Sequence, residues 1–483
     1  MPGQLAHAAH RSRHTGQMPT GRVSKVRVLI ALLAGLATLT GCTTVLPGEP
    51  REEALVAEDV PGGGVDPSFI RGGDGGELDR LAATVLTDVQ GYWEQTFPRV
   101  FDEPWRDLEG GYYSVDSANP RADPPPCTSS PAEVEGNAFY CPSEDVLAWD
   151  RAALLPVLNE RFGQEAVLMV LAHEMGHAAQ RRSGITQEVE RANPDRFPTI
   201  VIEAMADCYA GAVMRWISDG RAEYLRIDEE QLDSALRALI TFRDPIGTGQ
   251  QDAAAHGDAF DRVSAFQDGY RAGAEQCAGI DAKSRSFTQR EFLNMDDQAS
   301  GGNLSFEELT SALRRDAVGY FGQIASDHGT RWQPPELTRS RRIPECAGGN
   351  QGPVSYCPDQ NEIRYADTGP LRDLHTTVGD YATGTLLASR YALSALAALD
   401  QPLRGEQAQR GALCLAGAYT SELLGRAQGF ALSPGDLDET VQLLLTHDYP
   451  ARDLDGAALD TGFERLAAFR VGVLDGTNSC LPS

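Results

Sequence analysis

The chain has 483 residues, 41% of them hydrophobic, and a formal net charge of −27 at pH 7. That length exceeds one ordinary domain. A chain this acidic is poorly suited to nucleic acid and to electrostatic adhesion on anionic lipid, so neither is expected as a partner.

Residues 1–41 read as a targeting segment. Arg11, Arg13, Arg22, Lys25 and Arg27 stand there without an acid, followed by an apolar run from Val28 to Thr40. Such a run is too short to span a bilayer stably but suits the apolar core of a signal peptide. The segment ends Leu39-Thr40-Gly41-Cys42, which resembles the bacterial lipobox. That resemblance implies Cys42 as a diacylated, palmitate-bearing mature N-terminus. The expected location is extracytoplasmic, held by the lipid at the outer face of the cytoplasmic membrane. Residues 42–76, rich in Gly, Pro and acid, read as a flexible tether.

A first domain is expected over 77–285. Its strand Val146-Leu-Ala-Trp, just before Asp150, is a candidate sheet edge for aligning an extended peptide. The run Gln164 to Ala172 has no Pro or Gly and reads as a helix that continues into His173-Glu174-Met175-Gly176-His177. Helical spacing puts His173 and His177 on one face, where two imidazoles can hold one metal ion. Glu174 stands beside that ion, placed to take a proton from water. A catalytic zinc site needs a third protein ligand, and Glu203 in Glu203-Ala-Met-Ala-Asp207 is the natural candidate. Asp207, one turn on, is placed to accept the free ring N–H of a ligating His. His256 is a candidate donor to an oxyanion, and Arg262 reads as a structural ion-pair residue.

Residues 286–302 read as a linker. Asp297 to Glu308 matches the ends of a calcium-binding loop, but Ala299 and Gly301 lack the side-chain oxygens that loop needs. Ser305 and Glu308 instead read as a capping box opening the next helix.

Residues 303–483 resemble the first domain in collinear blocks. Gly91-Tyr92-Trp93 meets Gly319-Tyr320-Phe321, Tyr140-Cys141-Pro142 meets Tyr356-Cys357-Pro358, and Cys208-Tyr-Ala-Gly-Ala meets Cys414-Leu-Ala-Gly-Ala. Gln231-Leu232-Asp233 meets Asp436-Leu437-Asp438, and Arg262, Phe266, Gly269, Cys277 meet Arg465, Phe469, Gly472, Cys480 at identical spacing. Setting Cys42 aside leaves eight cysteines, four to a half, as an oxidising compartment favours. The repeat predicts disulfides Cys127–Cys141 and Cys208–Cys277, echoed by Cys346–Cys357 and Cys414–Cys480. The same alignment places Ser389, Arg390, Leu393, Gln409 and Leu413 against His173, Glu174, His177, Glu203 and Asp207. The second half is therefore expected to be a degenerate copy without a metal site, a candidate surface for envelope protein partners.

HEMGHAAQ followed by EAMADCYAG resembles the bacterial putative neutral zinc metallopeptidase family and, more distantly, the gluzincins. The likeness extends to Tyr140-Cys141-Pro142 and to Arg262 through Cys277, so it covers about residues 77 to 280. It implies zinc on His173, His177 and Glu203, Glu174 as base, a protein or peptide substrate, and a zincin-like fold. Ala178 departs from the family, which often has a third His there, but that position does not face the metal. The expected fold class is α+β, mainly helical with small sheets, tandemly repeated. The expected function is zinc-dependent peptide-bond hydrolysis. The alternatives are a non-catalytic envelope scaffold with a structural zinc, and hydrolysis of a non-peptide bond such as a peptidoglycan amide.

Overall fold

The computed structural model describes residues 64–346 and 348–481. The signal segment 1–41, Cys42 and the tether as far as residue 63 lie outside the described residues. In the first half, a strand β1 (Ile70–Arg71) precedes helix α1 (Glu77–Phe101) and strands β2 (Gly111–Val115), β3 (Ala138–Cys141) and β4 (Val146–Asp150). Helices α2 (Leu154–Phe162), α3 (Gln164–Arg182), α4 (Gln187–Ala192), α5 (Thr199–Ser218), α6 (Glu229–Thr241), α7 (Ala259–Ala272) and α8 (Ala274–Ala278) follow. Helices α9 (Met295–Ser300) and α10 (Phe306–Asp327) lead to strands β5 (Glu336–Ser340), β6 (Val354–Cys357) and β7 (Glu362–Ala366). Helices α11 (Pro370–Thr377), α12 (Asp380–Ala398), α13 (Glu406–Leu424), α14 (Asp436–Thr446) and α15 (Gly462–Asp475) complete the second half. The fold is mainly helical α+β, as expected.

Two small mixed sheets flank the helices. The first runs β1-β2-β4-β3 and the second β5-β7-β6, and in each the last-named strand is antiparallel to its neighbour. This corrects one expectation. The strand Val146–Asp150 is not an edge: it is paired on both sides and buried at every residue, and the edge strands are the two-residue β1 and, next to β4, β3. A second correction concerns the tether, whose last part is folded. Ile70 is buried, Ile70–Arg71 pair with β2, and Asp79 accepts the N–H groups of Asp74 and Gly75.

Helix α3 starts after Gly163 and ends before Gly184, both at positive φ, with no proline between them. It crosses α5 where Gly176 faces the backbone of Ala206, and a Cβ there would crowd Ala206 Cα at 3.1 Å. This close approach brings the two motif-bearing helices together. Helices α5 and α7 also touch backbone to backbone, since a Cβ on Gly211 would overlap Phe266 O and one on Gly269 would overlap Cys208 O. In the second half, Gly417 lies against Phe469 O and Gly472 against Cys414 O in the same manner. The sulfurs pair as Cys127–Cys141, Cys208–Cys277, Cys346–Cys357 and Cys414–Cys480. Cys208–Cys277 closes a loop of 69 residues, a restriction of the unfolded chain worth about 4 kcal/mol on the chain-entropy view. Tyr209 is wholly buried and packs edge-on against the wholly buried Trp93.

The halves exchange helix caps. Asp233 on α6 accepts the N–H groups of Gly462 and Phe463 at the start of α15, at 2.6 and 2.7 Å. Reciprocally, Asp438 on α14 accepts the Ala259 N–H at the start of α7, at 2.7 Å. A carboxylate is favoured at each place by the helix dipole and the unpaired amides. The segment 286–302 is tied to both halves: Thr288 and Gln289 donate to Asp261, and Arg290 donates to Leu424 O and Leu432 O. Ser305 and Glu308 form the expected capping box of α10.

Candidate metal centre

The α3–α5 crossing places His173, Glu174 and His177 opposite Glu203 and Asp207. His173 Nε2 lies 3.2 Å from Glu203 Oε2, and His177 Nε2 lies 3.7 Å from Glu203 Oε1. Donors around a tetrahedral zinc with bonds near 2.0–2.1 Å stand about 3.3 Å apart, so these three side chains converge as such a shell requires. The outer ring nitrogens are both engaged. His173 Nδ1–H donates to Asp207 Oδ1 at 2.7 Å, and His177 Nδ1–H donates to Gln180 Oε1 at 2.9 Å. Each imidazole thereby turns Nε2 toward the shared point.

Asp207 is fully buried and takes a bidentate grip from Arg262, with Nε and Nη2 both at 2.8 Å. Arg262 is thus the ion-pair residue expected, acting through Asp207 on His173. Burial opposes the Asp207 charge, but the Arg262 and His173 cations outweigh it and lower its pKa. Burial likewise disfavours charge on His173, yet Asp207 and Glu203 hold its imidazole up to about 10. A ligating imidazole is neutral, so with Arg262 balancing Asp207 the Glu174 and Glu203 carboxylates are left for a dication to neutralise, and that dication takes the place of the His173 proton. The donor set and its charge both fit zinc.

Glu174 is buried, which raises its pKa against the pull of His173 and His177. Its Oε2 accepts the Tyr140 N–H of β3 at 2.8 Å. His256 also reaches the cleft. Its Nε2 stands 4.0 Å from Glu203 Oε2, and its Nδ1–H donates to Asp244 Oδ1 at 3.3 Å. Asp244 Oδ2 accepts the backbone N–H groups of His256 and Gly257, fixing the loop. The neighbouring Arg243 donates to Asp438 of the second half at 3.1 Å.

Sequence reasoning missed Asp244, Gln180 and Asp438. Gln180 stands three residues past His177 on one helix, so helical spacing was a usable signal. Asp244 and Asp438 carry no local signal, because their partners lie 12 or more residues away in sequence.

At the corresponding positions of the second half the chemistry differs. Ser389 Oγ donates to Leu386 O, and Leu393 and Leu413 are wholly buried. Gln409 donates to Asp453. Arg390 is fully buried and donates to Val354 O, Gln351 O, Arg452 O and Tyr449 O. Burial, with the Arg452 charge adding to it, lowers its pKa to about 9.

Residues 71–280 match the model of the family described as Putative neutral zinc metallopeptidase. No curated protein and no solved structure matches the chain. The matched segment holds every residue of the cleft in the first half and stops short of the second. The match makes this segment similar to that family and supports zinc as its cofactor and a protein or peptide as its substrate class.

Proposed function

We propose that the chain hydrolyses peptide bonds in the cleft between α3, α5 and β3, with zinc held by His173, His177 and Glu203. The observation that carries this reading is the convergence of those three donors beside Glu174 in one largely buried cleft. A bound zinc ion supplies Lewis acidity to the scissile carbonyl and to the attacking water. Glu174, steadied by the Tyr140 N–H, takes the water proton and later delivers it to the leaving amine. His256, whose pKa the Asp244 hydrogen bond raises, presents the Nε2–H of its protonated ring to the oxyanion that forms on the carbonyl. The open edge of β3 runs beside Glu174, where an extended substrate can align antiparallel to it. Asp207 and Arg262 orient His173 and touch no substrate.

The same reading takes the fold of the first half as zincin-like and the second half as a degenerate copy of it. Matching disulfides, sheet orders and glycine crossings support the copy. Cys42 is the proposed lipid anchor and the outer face of the cytoplasmic membrane the proposed location, supported by the charge and apolar pattern of residues 1–42. The test is casein cleavage by the purified protein with its zinc content measured in parallel. Cleavage that a chelator abolishes and added zinc restores is expected; no cleavage by a zinc-loaded chain would reject the peptidase reading.

A further inference from the structure

A second group of metal-capable side chains lies in the second half, away from the zinc donors. Asp380 opens α12, and Asp436 and Glu439 lie in the first turn of α14. All three are buried, at 3%, 6% and 7% exposure, and their carboxylate oxygens fall within 4.8 Å of one another. One oxygen of each is used by backbone: Leu304 N–H donates to Asp380 Oδ2, Ser433 N–H to Asp436 Oδ2 and Tyr381 N–H to Glu439 Oε2. Asp380 Oδ1, also buried, has no hydrogen-bond partner. Gly379, at φ +142°, makes room for the group, because a Cβ there would overlap the Glu439 carboxyl.

No Lys, Arg or His among the described residues forms an ion pair with any of the three. Arg290 favours the Asp436 charge from a distance but spends its N–H groups on Leu424 O and Leu432 O. Asp297, which accepts the Ser433 hydroxyl, adds a fourth negative charge nearby. Burial pushes the Asp380 carboxyl up to about 6, and Asp436 and Glu439 well above the usual carboxylate range. Buried like charges without a counter-ion are costly, and proteins keep such groups by pairing them or by binding a metal.

We propose that Asp380, Asp436 and Glu439 bind one calcium ion, which ties the first turns of α12 and α14 together. An all-oxygen donor set selects a hard cation over zinc. The span of the oxygens fits within the roughly 5 Å diameter of a calcium shell with bonds of about 2.3–2.6 Å. The stretch Asp297 to Glu308 contributes only at its margin, through the Leu304 amide and the Asn303 side chain that accepts the Asp380 N–H. It is not itself a calcium loop, since α9 and α10 occupy its two ends.

The experiment is calorimetric titration of the zinc-loaded, calcium-free full chain with CaCl2 and, separately, with MgCl2. The expected result is saturable uptake of one calcium per chain, a higher melting temperature with calcium, and no comparable response to magnesium. Asp380→Asn and Glu439→Gln each keep an acceptor for the backbone amide. Each is expected to weaken calcium binding by at least about tenfold, to leave zinc content unchanged, and to melt no lower than the parent without calcium. Absent calcium uptake, equal uptake of magnesium, or uptake untouched in whichever variant folds would each overturn the proposal.

Discussion

The two halves place opposite chemistry at one corresponding position. In the first, the Glu174 carboxylate accepts an N–H from Tyr140 on the edge strand β3. In the second, the Arg390 guanidinium donates to Val354 O on the edge strand β6 and to three further carbonyls. A helix beside an edge strand can therefore either leave a carboxylate facing a cleft or fill that cleft with a cation satisfied by backbone. The first arrangement suits chemistry on a peptide. The second suits packing, because four of the five guanidinium N–H donors are consumed by backbone carbonyls.

That contrast can be broken from either side. The largest expected effect is that of His173→Ala, which removes one of three proposed ligands and strands Asp207 and Arg262 without their imidazole. Zinc content should fall from one per chain to near zero and cleavage should vanish; full zinc occupancy would contradict the assigned donor set. His256→Ala should leave zinc in place and reduce kcat by about 100-fold, close to 2.7 kcal/mol of transition-state stabilisation, with little change in KM. An unchanged kcat would make His256 a loop residue only. Arg390→Ala should act on stability alone, costing about 2 kcal/mol for stranded carbonyls and lowering Tm by several degrees. Loss of zinc or of kcat at low temperature in that variant would contradict a purely structural role for Arg390.

Much of this arrangement was legible in the chain itself, and for identifiable reasons. The helix from Gln164 is continuous because nothing interrupts it before Gly184, so the histidine spacing translates directly into a shared face. The cysteine pairs could be read because each half carries four cysteines in the same order at similar separations, 69 and 66 residues for the long pair, which restricts the combinations. Strand order could not be read: β4 has the stronger strand composition, but whether it is central or peripheral depends on pairing with β2 and β3. The folded end of the tether was hidden for a similar reason, since two residues pairing with β2 leave no periodic pattern. The cross-half caps of Asp233 and Asp438 and the buried carboxyls of α12 and α14 depend on contacts distant in sequence.

The central claim is that the cleft of the first half is a zinc-dependent peptidase site with Glu174 as its base. Glu174→Ala, assayed together for bound zinc and for peptide cleavage, tests it most directly. The account predicts one zinc per chain and a fall in kcat of about 10³-fold or more. Undiminished cleavage with zinc retained would contradict it.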